Sequence, residues 1–269
     1  MDLRARIGID LGRKLPVEEG IAWAAANDVR FIDAQIDLPP NALASIRERA
    51  PAIRSACREH GVNLGLHTLS AVNIAEVSPF MADAVDRYLE TYMDMAVATG
   101  ADWVVVHAGY HFTADYRLRR EAGLERLRRA AGYAEKVGAR LLLENMNREP
   151  DTAEVHYLAS TIEECRDAFE RLTSPRLGWS FTVNHAHLYP EGIDGFLAAL
   201  PLERCGEVRV ADCRGTVEEH LKPGEGTIDF GAMFRRIEGM GFKGHYTLAF
   251  GSLDDMLEGR ESLLRAASA

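Results

Sequence analysis

The sequence lacks the features that place a protein in a membrane, on nucleic acid or in an oxidising compartment. No apolar run approaches the roughly 20 residues that span a bilayer, and the N-terminus shows no signal-peptide core. There are 31 Lys and Arg residues against 41 Asp and Glu residues, and the net charge of -10 repels phosphate backbones and anionic lipids. The 4 cysteines are scattered without a C-x-x-C pair, which favours a reducing compartment and argues against a cysteine-zinc site. We therefore expect a cytoplasmic protein without nucleic-acid or membrane partners.

Motifs for common cofactors and hydrolytic centres are also missing. The first apolar run leads into Gly8–Gly12, which does not fit the dinucleotide-binding G-x-G-x-x-G. The sequence contains no G-x-x-x-x-G-K-[ST], no H-E-x-x-H and no G-x-S-x-G. We therefore expect no organic cofactor.

Eight short apolar or β-branched runs alternate with amphipathic helical stretches, and no linker or low-complexity segment interrupts them. With 269 residues and 47% hydrophobic composition, this order favours a single (β/α)8 TIM barrel over residues 1–269 rather than a doubly wound sheet. Pro51 predicts a break in the helical stretch after Asn41. The predicted strands are Arg6–Asp10, Phe31–Gln35, Leu64–Thr68, Trp103–Ala108, Arg140–Asn145, Leu177–Thr182, Glu207–Asp212 and Tyr246–Phe250.

Polar residues stand at or just after the carboxyl ends of these strands, where barrel enzymes build their active sites. Several polar groups at one end of otherwise apolar strands are poor core material. The alternative is a set of polar groups that only satisfy one another at the barrel rim. In chain order these candidates are His67, His107, Glu144, Thr182, Asn184, His185, Arg209, Asp212, Glu218 and His220.

Five segments match, in order and spacing, the motifs of one superfamily. They are G-L-H at 65–67, V-V-V-H-A-G at 104–109, L-L-E-N at 142–145, the segment 178–186, and P-G-E-G-T-I-D-F at 223–230. On these motifs the chain resembles the xylose-isomerase-like barrel superfamily, which contains sugar isomerases, sugar epimerases and apurinic-site endonucleases. The resemblance extends along nearly the whole chain and implies the barrel fold and a small polar substrate.

The resemblance also shows what this chain has lost. Sugar-acting members hold one divalent metal with Glu, Asp, His and Glu at the ends of the fifth to eighth strands. Here only Glu144 remains, and the other three positions carry Thr182, Arg209 and Ala249. No Asp or Glu lies in 177–187 or in 245–250, so a shift of the alignment by one residue would not bring the lost carboxylates back.

Arg209 argues against a divalent metal at that position, because its guanidinium is charged at any working pH. At about 5 Å and an effective dielectric of about 20, its repulsion of a divalent ion costs roughly 7 kcal/mol. We predict that Arg209 pairs with Glu144 and acts as a fixed cation in place of the metal. An Arg–Glu pair that only holds the barrel mouth together is the alternative.

Two other ligand sets are implied by the endonuclease-like members of the superfamily. The first is His67, His107 and Glu144, and the second is His185, Glu218 and His220, with Glu218 where Asp is usual. Imidazole and carboxylate groups are suitable zinc ligands. In single-metal relatives the same histidines contact substrate instead.

The preferred hypothesis is an isomerase or lyase that acts on a small polyhydroxylated carbonyl compound, such as a sugar, a keto-sugar or a related acid. Glu144 would remove the proton next to the carbonyl, and Arg209, helped by His185 or His107, would stabilise the enediolate. Because Ala249 removes the second acid, one-base isomerisation or elimination is favoured over two-base epimerisation.

Further polar side chains are candidates for contacts with substrate hydroxyls. Two other functions remain open: a ligand-binding homologue without activity, or a zinc-dependent hydrolase that uses the first ligand set. The sequence leaves the oligomeric state open, and a homo-oligomer is compatible with a helical barrel surface. The predicted substrate-binding residues are His67, Asn184, Asp212, His220 and Lys222.

Overall fold

The computed structural model describes residues 2–268, so that Met1 and Ala269 of the predicted 1–269 domain lie outside the described residues. Eight parallel strands of this range close into one barrel, and the expected (β/α)8 TIM barrel is confirmed. The barrel strands are β1 (Ile7–Gly12), β2 (Phe31–Ala34), β3 (Asn63–His67), β4 (Trp103–Val106), β6 (Leu141–Glu144), β8 (Leu177–Thr182), β9 (Cys205–Val210) and β10 (His245–Leu248). Around the ring they follow the order β1-β10-β9-β8-β6-β4-β3-β2.

Helices surround the barrel because the outward-facing side of each strand is apolar and needs a cover. None of the helices in residues 2–268 combines the length and apolar character that crossing a lipid bilayer requires. The α-helices are α1 (Val17–Ala26), α2 (Leu43–His60), α3 (Pro79–Thr99), α4 (Tyr116–Val137), α5 (Ile162–Arg171), α6 (Val183–His187), α7 (Gly192–Ala199), α8 (Phe230–Gly239) and α9 (Leu253–Ser268).

The expected break at Pro51 is wrong, since α2 runs through this residue without interruption. Its inner face buries Ile46, Ala50, Ile53 and Cys57 against the core, while Pro51 is exposed. A carbonyl left without its donor on the solvent side of a helix can bond to water. Burial of the inner face therefore outweighs the lost hydrogen bond.

A small two-stranded sheet, β5 (Tyr110–Phe112) and β7 (Val155–Tyr157), lies outside the barrel and has no counterpart among the predicted strands. The two strands pair antiparallel, with His111 opposite His156. They belong to the segments that follow β4 and β6, so they lie on the side of the barrel where the strands end.

The barrel interior changes character along its axis. At the amino-terminal mouth the rings of Phe31 and Trp103 pack on His245, with ring centroids 4.6 Å and 4.3 Å from that imidazole. Further along, the fully buried Glu207 accepts hydrogen bonds from Ser180 Oγ at 2.8 Å and Thr247 Oγ1 at 2.6 Å. The polar groups continue from there to the carboxyl mouth.

Candidate active site

Three strands deliver one polar side chain each to a common point at the carboxyl mouth. His67 ends β3, Glu144 ends β6, and His107 directly follows β4. His107 Nε2 lies 3.1 Å from Glu144 Oε2 and 3.2 Å from His67 Nε2, and His67 Nε2 lies 3.4 Å from the same Oε2. We call these residues the inner triad. The sequence predicted all three members.

His107 has a hydrogen-bond partner at each ring nitrogen. Its Nε2 donates to Glu144 Oε2 at 3.1 Å, and its Nδ1 lies 3.2 Å from Thr68 Oγ1, which is itself 3.0 Å from the Val105 carbonyl. Burial lowers the pKa of His107 and outweighs the opposing contribution of Glu144, which keeps the ring neutral.

His67 is the charged imidazole of the triad. Its Nδ1 donates to Asp33 Oδ2 at 3.3 Å, and its Nε2 lies 3.4 Å from Glu144 Oε2. Burial and the charge of Arg209 lower the pKa of His67, but hydrogen bonds to the two carboxylates outweigh them and raise it to about 9. Both imidazoles of the triad therefore converge on Glu144 Oε2.

Glu144 is ionised at any working pH. Burial raises its pKa, but hydrogen bonds from His107 and His67 bring the pKa well below the usual range. Its other oxygen, Oε1, accepts the hydroxyl proton of Thr182 at 2.5 Å. Thr182 thus supports the one carboxylate that remains of the expected metal set.

Arg209 forms the predicted ion pair with Glu144, but its hydrogen bonds go to three other carboxylates. Its Nη2 donates to Asp10 Oδ2 at 2.9 Å, and its Nη1 donates to Asp33 and, at 3.3 Å, to Glu207. The Glu144 Oε1 atom is 4.0 Å from Nε, which is an ion pair without a hydrogen bond. These neighbours raise the pKa of Arg209 well above its usual value despite burial.

Three carboxylates outside the predicted set, those of Asp10, Asp33 and Glu207, therefore lie at the mouth or in the layer below it. In the sequence they stand only as parts of the predicted strands. The inward position of Glu207 could have been predicted from the sequence. Residues i and i+2 of a strand share a face, and Arg209 was expected inside the barrel. Asp10 and Asp33 likewise interrupt otherwise apolar runs.

A second group of ligand atoms lies beside the inner triad. Glu218 Oε1 is 3.1 Å from His185 Nε2 and 3.1 Å from His220 Nε2, and we call these residues the outer triad. His185 connects the two groups, because its Nδ1 is 3.8 Å from Glu144 Oε1. Burial raises the pKa of Glu218, but hydrogen bonds from the two imidazoles lower it to about 2.

Three of the predicted substrate-binding residues have structural partners of their own. Asp212 uses both carboxylate oxygens to accept backbone amides at 213, 224, 226 and 228, at 2.8–3.2 Å, which holds the P-G-E-G loop in place. Lys222 forms an ion pair with Glu258 of α9. Asn184 donates to the Glu219 carbonyl at 3.2 Å, while its buried Oδ1 has no hydrogen-bond partner within residues 2–268. These contacts leave His67 and His220 as the better placed members of the predicted set.

The residues do not fit a metal at the position that the resemblance implied. The hydroxyl of Thr182 donates its hydrogen bond to Glu144, and Ala249 has no ligand atom in its side chain. Arg209 adds a permanent positive charge. The two triads, in contrast, fit zinc by ligand type. The inner triad's separations of 3.1–3.4 Å also resemble the spacing of about 3.3 Å between ligands of a tetrahedral zinc ion.

Solved structures share this fold over nearly the whole chain. A D-tagatose 3-epimerase-like protein aligns with a TM-score of 0.83 at 19% identity, covering 98% of this chain and 97% of that one. The E. coli 3-keto-D-glucoside 4-epimerase aligns at 0.78 and 15% identity, covering 98% and 99%. The D-psicose 3-epimerase of Clostridium cellulolyticum H10, solved with D-tagatose, aligns at 0.76 and 15% identity, covering 98% of each chain. At these identities the likeness establishes the fold alone.

A comparison with curated protein sequences gives no significant match. A family model described as xylose isomerase-like TIM barrel, however, matches residues 21–266. That range includes both triads and Arg209, and it reaches from α1 to α9. The chain therefore belongs to the xylose isomerase-like TIM barrel family.

Proposed function

We propose that this chain isomerises or epimerises small polyhydroxylated carbonyl compounds, sugars or keto-sugars, by moving the proton next to the carbonyl. One observation carries the proposal. An ionised carboxylate, Glu144, lies 4.0 Å from the guanidinium of Arg209 at the carboxyl mouth, beside the imidazolium of His67. A base next to two fixed cations is the arrangement that enolisation needs.

Stabilisation of the enediolate is the larger part of this chemistry, because Glu144 with its lowered pKa is a weak base. Arg209 spends one N–H on each of Asp10, Asp33 and Glu207, so that of its five N–H groups Nε–H and one Nη2–H stay available for substrate oxygens. His67, 12% exposed in its side chain, can donate its Nε2 proton to the same oxygens. The residues thus supply a base and its counter-charges without a step through a metal.

Hydrogen exchange tests this proposal directly. The protein is incubated in D2O with D-tagatose, D-psicose and a 3-keto-D-glucoside, and NMR follows deuterium at the carbon next to the carbonyl. We expect exchange with at least one compound, and a loss of about 10²–10⁴-fold in Glu144→Gln. Glu261→Gln, which removes an exposed carboxylate paired with Arg4, serves as the matched control and keeps the wild-type rate.

No exchange with any of the three compounds would overturn the proposal. If one of them still raises the melting temperature, the chain is a ligand-binding homologue. Exchange that persists in Glu144→Gln would leave the function standing and remove Glu144 as the base.

A second candidate function, a zinc-dependent hydrolase, is favoured by the two adjacent triads. His67, His107 and Glu144 would hold one zinc ion, and His185, Glu218 and His220 another. Zinc bound there would lower the pKa of a coordinated water and polarise a substrate oxygen. The test is zinc content by mass spectrometry, together with chelator-sensitive hydrolysis of chromogenic phosphate esters. Less than one zinc per chain after incubation with zinc would exclude this candidate.

A further inference from the structure

A cavity of about 540 Å³ lies at the amino-terminal mouth of the barrel, at the opposite end from the two triads. Phe31, Trp103 and His245, the first residues of β2, β4 and β10, form its floor. The volume is in the range of sites that bind small molecules. We call it the amino-mouth cavity, and none of its lining residues belongs to either triad.

Two glycines leave room for an arginine inside this mouth. Arg140 directly precedes β6 and lines the cavity. A Cβ atom on Gly206 of β9 would lie 2.8 Å from Arg140 Nη2, and one on Gly178 of β8 would lie 3.7 Å from the same atom. A side chain at Gly206 would therefore displace the guanidinium, which extends across the mouth because this position is a glycine.

Charged side chains of both signs surround the amino-mouth cavity. Arg140 and Lys243 supply two cations, and Asp102 and Glu203 supply two carboxylates. All four residues are exposed, and within residues 2–268 none of the four forms an ion pair. Direct contacts therefore do not compensate their charges, which remain available to a ligand that enters the cavity.

The floor of the cavity is aromatic. The rings of Phe31 and His245 are stacked with their planes 3° apart, and the ring of Trp103 packs on the same imidazole. The indole N–H of Trp103 is buried and has no acceptor within residues 2–268. A floor of packed rings favours an aromatic group in the ligand.

We propose that the amino-mouth cavity binds an aromatic α-amino acid as a zwitterion. The carboxylate of the ligand pairs with Arg140 and Lys243, and its ring packs on the floor. Its ammonium group pairs with Asp102 and Glu203. A ligand with a single charge would leave either the two cations or the two carboxylates without a partner. The inference is independent of the proposed function, because the cavity shares no residue with the triads.

Titration with L-phenylalanine tests the site, because this probe does not absorb where tryptophan is excited. Trp103 is one of 3 tryptophans and reports the binding by its fluorescence, and calorimetry measures the affinity. We expect saturable binding of L-phenylalanine. Binding should be about 10-fold or more weaker for 3-phenylpropionate, which lacks the ammonium group, and for phenethylamine, which lacks the carboxylate.

Variants at the two ends of the barrel locate the probe. Arg140→Met removes the guanidinium and should weaken the binding about 10-fold or more. Since Arg140 is exposed and has no ion pair within residues 2–268, this variant is expected to fold. Arg58→Met, which removes an exposed arginine of α2, is the matched control and should keep the wild-type affinity. Glu144→Gln, at the carboxyl mouth, should keep it as well.

No saturable binding of L-phenylalanine, or the same affinity in Arg140→Met as in the wild type, would overturn the site. Loss of binding in Glu144→Gln would move the probe to the carboxyl mouth and overturn it too. Equal affinity of the wild type for 3-phenylpropionate or phenethylamine would overturn the recognition of a zwitterion.

Discussion

The inner and outer triads contain the same three side chains, two histidines and a glutamate, and yet their environments differ. The inner triad is anchored at the ends of β3, β4 and β6, and its side chains are 4–12% exposed. In the outer triad Glu218 and His220 come from the loop after β9, and they are 34% and 44% exposed. Only His185, on α6, is buried.

Support from a second layer distinguishes them further. Asp33 holds His67, Thr68 holds His107, and Thr182 holds Glu144. The outer triad receives backbone carbonyls instead, with Asn145 bound to His185 and Ala249 bound to His220. The same three side chains are therefore held more firmly at strand ends than on a loop, and this support pre-organises the inner triad for chemistry.

The largest effect is expected at Arg209, which is the counter-charge of the buried carboxylates beside the inner triad. In Arg209→Met the buried Asp33 and Glu207 lose their cation, and we expect a loss of about 3–5 kcal/mol in unfolding free energy. Urea denaturation measures it. The matched control Arg129→Met, which removes an exposed partner of Asp86, should change stability by less than about 1 kcal/mol. Equal effects of the two variants would contradict the buried charge cluster.

The unfolding free energy measured as a function of pH tests the charge of His67 in the inner triad. Its pKa is about 9 in the folded protein and 6.5 without the fold, so the folded state binds this proton more tightly. The resulting stabilisation is fully present below about pH 6.5 and is lost as the pH rises through 9. We expect unfolding free energy to fall by on the order of 2–3 kcal/mol over this window.

The His67→Gln variant should lack this decline, whereas the exposed His60→Gln should keep it. A decline of the same size in His67→Gln would show that the proton is bound elsewhere.

The smallest effect is expected in the outer triad. Glu218→Gln removes the ion pairs to the partly exposed His220 and to the buried His185, and because Glu218 is itself 34% exposed we expect a loss of about 1 kcal/mol. A thermal melt at pH 7 measures the change. A loss as large as that of Arg209→Met would make the two triads equivalent in structure.

Local sequence patterns predicted the barrel and the candidate residues at its mouth, whereas the grouping of these residues into two sets of three was implied by the resemblance to the superfamily. Apolar runs mark the strands, and a polar residue at the end of such a run marks the mouth, as His67, His107 and Glu144 show. The capping box of Thr161 and Glu164 at the start of α5 is another feature with a local signal, the pattern T-x-x-E.

The partners of Arg209 could not be predicted in the same way. Which side of β1 and β2 faces inward depends on their register, and that register is set by the closure of the barrel. The predicted helix break at Pro51 was wrong for a related reason. Burial of the inner face of α2 is a tertiary contact, and it overrides the local preference of proline. Local sequence patterns thus predicted which polar residues stand at the mouth, whereas they did not predict the contacts across the barrel.

The ion pairs of Arg209 join residues 199 and 176 positions apart, to Asp10 and Asp33 respectively. Contacts of such separation form late in folding, since the chain between them must first be ordered. A chain that ends before β9 holds two carboxylates in its interior without their counter-charge, which opposes closure. A half-barrel without β9 therefore lacks the counter-charge of these carboxylates. The ion pairs that join β9 to β1 and β2 across the closed barrel are the same contacts that complete the site.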